Sequence, residues 1–232
     1  MSITTSILLA AASMLPALIA SVGRFFREKD LLSFTLVFPM LLVHFFATNF
    51  FYQFYQRLYA PYFADLTHFI FLMMVLCLAV IPFIRLIEQD VDGEIDLTEV
   101  YRTFFRYLFP VYVMGFVYAL MVTAGTILFL VPGLLLLIWF SMFPYVAVVE
   151  GETWFQGFKR AFEVGRRHFF PLLGLIVLLG LGEKLIEYIG LLLSVQLTAN
   201  YLFIALVQML INLFFLPFYT SVMAHYYIDR IE

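Results

Sequence analysis

Apolar residues fall in six long blocks separated by short polar or charged stretches. The blocks run from Leu31 to about Gln53, then Leu66–Ile87, Phe109–Leu130, Leu134–Val149, Phe170–Leu197 and Tyr201–Tyr227. A helix needs about 20 apolar residues to cross ~30 Å of hydrocarbon, and these blocks are of that order. The pattern predicts an all-α, polytopic membrane helical bundle of about six transmembrane helices in three hairpins. It reads as one membrane domain over residues 1–232, divided as 1–30, hairpin 1 (31–96), hairpin 2 with an amphipathic helix (97–151) and hairpin 3 with another (152–232).

Two segments change period. From Thr153 to Phe169, Phe155, Phe158, Phe162, Gly165 and Phe169 recur every three or four residues, while Gln156, Lys159, Arg160, Glu163, Arg166 and Arg167 fill the other face. That spacing gives a helix one apolar and one basic stripe, suited to lying in the headgroup plane. Leu97 to Leu108 is a second amphipathic helix. Residues 3–22 are apolar but interrupted by Pro16, with Ser6, Ala10, Ser13 and Ala17 on one small face, and are read as an interfacial or re-entrant helix.

Proline and glycine set the expected breaks. Val131-Pro132-Gly133 is read as a tight turn, and Phe109-Pro110 and Phe170-Pro171 as hinges from surface helix to span. Residues 100–115 align with 161–176, so that Arg106 falls on Arg167 and Pro110 on Pro171, a weak internal repeat. Gly182-Glu183-Lys184 interrupts the fifth block. There the sequence allows either an unbroken span or a break at Gly180 and Gly182 that turns residues 183–197 into a surface helix.

Composition supports a membrane class: 64% of residues are hydrophobic, 19% aromatic and 12% charged. Soluble domains carry about 25% charged residues. The positions of the charges say more than their sum. Arg24, Arg27, Lys29, Arg85, Arg102, Arg106, Lys159, Arg160, Arg166, Arg167 and Arg230 fall on one side of the predicted topology. Arg57 falls on the other, and Lys184 is ambiguous. The positive-inside rule then puts the C-terminus in the cytoplasm. The single cysteine, Cys77, excludes internal disulfides. No Ser-His-Asp order, phosphate-binding loop or paired-histidine metal motif occurs, so neither catalysis nor a cofactor is expected. Nucleic acid is not an expected partner.

Three groups of residues stand out. The first is the basic set Lys159, Arg160, Arg166, Arg167, Arg102 and Arg106, suited to anionic lipid headgroups, or to a protein partner or second copy. The second is Glu183 and Glu187, which share a helical face with Gly190 and Ser194. With His44, Asn49, Gln208 and Asn212 from other spans they would form an intramembrane polar cleft, and Lys184–Glu187 also has ion-pair spacing. The third is the acidic stretch 88–99, where Asp90, Asp92, Asp96 and Glu99 match positions of an EF-hand calcium loop. There is no paired second loop, and a turn at Asp92-Gly93 followed by a capping box at Asp96-Leu97-Thr98-Glu99 explains the same residues. The turn-and-cap reading is preferred, and no metal is expected.

Pro132-Gly133, Pro144, Glu150-Gly151, then FKRAFEVGRRHFFPLLGL and the closing Tyr226-Tyr227-Ile228-Asp229-Arg230 resemble a family of bacterial inner-membrane proteins. That family comprises the YciC-like (UPF) proteins and the membrane domain attached to some glycerophosphodiester phosphodiesterases. The resemblance covers about residues 97–232, with Ala161 and Gly165 standing where the family often has Ser and Thr. It implies a six-span protein of the bacterial cytoplasmic membrane. It brings no active site, because the phosphodiesterase's catalytic barrel is a separate soluble domain. The expected function is a non-enzymatic integral membrane module that interacts with lipid or docks a partner in envelope or lipid homeostasis. The alternative is a small transporter or permeation subunit built around Glu183 and Glu187.

Overall fold

A computed structural model of the chain describes residues 32–58, 61–92, 95–198 and 200–230. The N-terminal segment 3–22, the basic collar at Arg24, Arg27 and Lys29, and Gly93 lie outside the described residues. The described chain is all helical, in the order α1 (Phe38–Arg57), α2 (Pro61–Ala79), α3 (Ile81–Asp92), α4 (Leu97–Leu128), α5 (Leu130–Phe140), α6 (Trp154–Arg167), α7 (Phe169–Leu197) and α8 (Tyr201–Arg230). Between α5 and α6 lie a single turn, Phe143–Tyr145, and a π-helical turn, Val146–Glu150. Six helical segments are long and apolar enough to cross a membrane, as the hydropathy blocks predict. Their outward faces carry rows of exposed large apolar side chains, such as Leu178, Leu181 and Leu185 on α7. In water such rows would be a severe liability; in hydrocarbon they face their proper solvent. The chain is a multi-pass membrane protein.

It divides into two units, Leu36–Phe169 and one that contains Phe170–Glu232. In the first, α1 packs on α2, α2 on α4, and α4 on α5. The core gathers around α3, where Ile81, Phe83, Ile84, Leu86 and Ile87 are all buried, and which packs on α4 and on the Phe143–Glu150 segment. The second predicted span is therefore two helices, broken at Val80, where Pro82 has no N–H to continue the ladder. Close backbone approach decides where small residues sit. A Cβ on Gly115 of α4 would lie 3.4 Å from that of Cys77 on α2. One on Gly133 of α5 would lie 2.8 Å from the Thr126 Cα of α4.

Two expectations need correction. The tight turn between α4 and α5 is not Val131-Pro132-Gly133 but Phe129 alone, extended at φ −159° and ψ 145°. Pro132 instead sits in the first turn of α5, where its missing N–H costs nothing. Nor is Phe109-Pro110 a break: α4 runs unbroken through Pro110. The matching Phe170-Pro171 does follow a break, at His168, and Pro171 lies in the first turn of α7. The two aligned stretches therefore differ in backbone.

In the second unit α7 is one continuous helix from Phe169 to Leu197, so the break considered at Gly180 and Gly182 does not occur. Nothing lies within 4 Å of a Cβ placed on either glycine. Gly190 is where α8 comes close: Val207 Cγ1 would stand 3.9 Å from its Cβ, and Ile211 nearer still.

Candidate functional site

The basic helix α6 starts after Gly151, which turns the chain at φ 73°, a value that favours glycine. Its buried positions are Gly157, Phe158, Ala161, Val164 and Gly165. Glycine, alanine and glycine four apart let a helix lie against another backbone. A Cβ on Gly165 would sit 2.6 Å from the Cα of Trp139 on α5. Phe158 fills the rest of the seam, its ring 4.7 Å from that of Phe140 and 4.9 Å from that of Phe143. Phe162 meets Trp139 edge-on at 5.2 Å.

The apolar stripe of α6 is therefore covered by the preceding span, not laid on lipid as the periodicity predicts. Phe155 alone of the predicted aromatics before Phe169 turns outward, 80% exposed. The helix belongs with hairpin 2, whereas the sequence grouped it with hairpin 3. The four-residue spacing of Gly157, Ala161 and Gly165 was legible in the sequence, and the aromatic pattern masked it.

The six predicted basic residues are not equivalent. Arg160 Nε donates to both carboxylate oxygens of Glu150, at 3.1 and 2.8 Å, tying α6 to the end of the preceding span. Lys159, Arg166 and Arg167 are exposed, and no ion pair among the described residues holds them. On α4, Arg102 is 3.9 Å from Glu99, and the Arg106 guanidinium lies 5.6 Å from the centre of the Tyr107 ring.

The members of the predicted polar cleft have other partners. Asn49 donates to the Phe45 carbonyl of its own helix at 2.8 Å. His44 is buried, its ring 5.1 Å from that of His68 and stacked at 5.5 Å on Phe71. His68 Nδ1 meets the Thr48 hydroxyl at 3.1 Å, and Tyr52 donates to Asp65 one turn further along. This ladder across α1 and α2 is not among the groups expected from the sequence. Its signal was the four-residue spacing of His44, Thr48 and Tyr52 opposite Asp65 and His68.

In the second unit Lys184 Nζ donates to Glu187 at 2.6 Å, the predicted ion pair. Gly190 faces Val207 and Ile211, the neighbours in sequence of Gln208 and Asn212. No hydrogen bond among the described residues joins either glutamate to Gln208 or Asn212.

The acidic stretch is partly described. Asp96 caps α4 by accepting the Thr98 N–H at 2.9 Å, as a capping box predicts. The reciprocal bond differs: the Asp96 N–H goes to Gln89 Oε1 at 3.1 Å, which leaves Glu99 to Arg102. The Asp92 side chain lies outside the described residues, and no three metal-binding side chains converge among those described. No family model, curated protein or solved structure matches the chain.

Proposed function

We propose that the chain is a non-enzymatic module of the bacterial inner membrane, with its C-terminus in the cytoplasm, that holds anionic lipid headgroups on α6. One observation carries this reading. The small-residue stripe clamps α6 to α5, while Lys159, Arg166 and Arg167 stand exposed and unpaired among the described residues. A cationic face fixed in place loses little conformational freedom when it meets an anionic surface. Each such charge contributes about 1 kcal/mol near an anionic leaflet, so three amount to roughly a hundredfold in affinity. The sequence resemblance and the placement of basic residues support the bacterial membrane and the orientation. Arg160 is left out of the lipid set, because Glu150 holds it.

Native mass spectrometry of the protein extracted with its own lipids tests this. Bound anionic phospholipid is expected on the wild type and on Gln156→Ala, and its loss when Lys159, Arg166 and Arg167 are replaced together by Gln. Equal retention by the triple variant, or a stoichiometric protein in place of lipid, would overturn it.

The alternative is a small transporter around Glu183 and Glu187, favoured by the continuity of α7. That helix carries Glu183 ~21 Å along its axis from Phe169, against a hydrocarbon thickness of ~30 Å. Replacing both glutamates with Gln is expected to leave folding and growth unchanged. A growth defect with folding intact would decide for transport.

A further inference from the structure

The polar ladder between α1 and α2 is independent of the basic helix and of the lipid reading. The described parts of these two spans hold few ionisable groups: Arg57 at the end of α1, Asp65 near the start of α2, His44, His68, three tyrosines and Cys77. Intramembrane ionisable groups are costly and mark functional paths. Here they are ordered rather than scattered. Asp65 is exposed at the loop end of the hairpin and accepts from Tyr52. One turn deeper, Thr48 meets His68 Nδ1. One turn deeper again lies His44, 91% buried by its 9% exposure, with an Nδ1 that has no hydrogen-bond partner.

We propose that His44 and His68 form a single proton-binding site within hairpin 1, reached from the loop end past Asp65 and Tyr52. The chemistry of each group fits. A hydroxyl both donates and accepts, so Thr48 can donate to a bare His68 Nδ1 or accept from a protonated one. The free Nδ1 of His44 has a lone pair to take a proton. Water at the loop end supplies that proton, and the pair gains one positive charge. Two imidazolium rings 5.1 Å apart would repel strongly away from water, so the pair takes one proton and its two rings titrate as a coupled unit. The groups ranged around the pair are Thr48 and Tyr52 on α1 and Asp65 and Phe71 on α2. Asp65 is the one carboxylate of the two described helices.

The test is NMR of the full chain, labelled with ¹⁵N-histidine, in lipid nanodiscs between about pH 4 and pH 9. His168 and His225 serve as internal references. His44 and His68 are expected to respond together and to take up one proton between them. In His68→Gln the midpoint of His44 moves by about one pH unit, with the reference histidines unmoved. Should that variant not fold, the isosteric Thr48→Val perturbs His68 directly, and the coupling is read as an accompanying shift in the His44 midpoint. The proposal fails if His44 titrates alike in wild type and variant, if the pair takes two protons independently, or if both rings stay neutral throughout.

Discussion

Gly165 and Gly174 are both helical glycines, and their surroundings give them opposite roles. A methyl group on Gly165 would press on the Trp139 backbone, which has no flexible end to yield, whereas Gly174 has nothing within 4 Å of that position. Gly165→Ala is therefore expected to destabilise the protein by about 1–3 kcal/mol. Gly174→Ala should be neutral or stabilising by up to about 1 kcal/mol. Thermal unfolding in detergent measures both, and equal shifts would refute the tight seam. The same seam explains why the apolar stripe of α6 was only half legible. Phe158 and Phe162 were expected to face lipid and instead pack on Phe140 and Trp139, because periodicity shows that a face is apolar without naming what covers it. Among the basic residues, charge and spacing made Arg160 look like its neighbours. Only the fold brings Glu150, ten positions away, under its guanidinium. Glu150→Gln is expected to lower stability by about 1 kcal/mol, since the pair is partly solvated, while Glu163→Gln on the exposed face leaves it unchanged.

Pro110 and Pro171 show how one local motif serves two kinds of element. Pro110 lies inside the 32-residue α4, where the carbonyl four residues back, on Arg106, loses its donor. At 1.5 Å per residue α4 is ~48 Å long, well beyond the hydrocarbon thickness of ~30 Å. Its first turns therefore extend out of the hydrocarbon, where water can satisfy that carbonyl. Pro171 stands in the first turn of α7, where no donor was needed. Pro110→Ala is thus expected to raise the unfolding temperature, by an amount corresponding to at most about 3 kcal/mol, and Pro171→Ala to leave it nearly unchanged. The opposite ranking would mean that Pro110 is strained into place by function. Sequence alone could not separate the two, because both follow Phe after an amphipathic stretch. What differs is whether the preceding helix has already ended, and His168 ends it before Pro171 only.

For the whole molecule, hydropathy alone was enough to find six spans, because the bilayer imposes one length and one composition on all of them. It could not find the division at Phe169, nor that α6 rests on the preceding span, since both depend on contacts distant in sequence. The polar ladder of hairpin 1 was missed for the same reason: His44 was assigned partners by polarity rather than by neighbourhood. Orientation is the property at this scale that a cell can report. A fluorescent protein fused after Glu232 is expected to mature in the cytoplasm, and one secreted in active form by periplasmic folding would reverse the topology. Phe129 is all that joins α4 to α5, and Thr126 and Gly133 are already in contact across it. A connection that short leaves the two legs little freedom to move apart once both are helical. The two legs are expected to enter the membrane as one hairpin, and a residue inserted at this joint is expected to lower the yield of membrane-inserted protein.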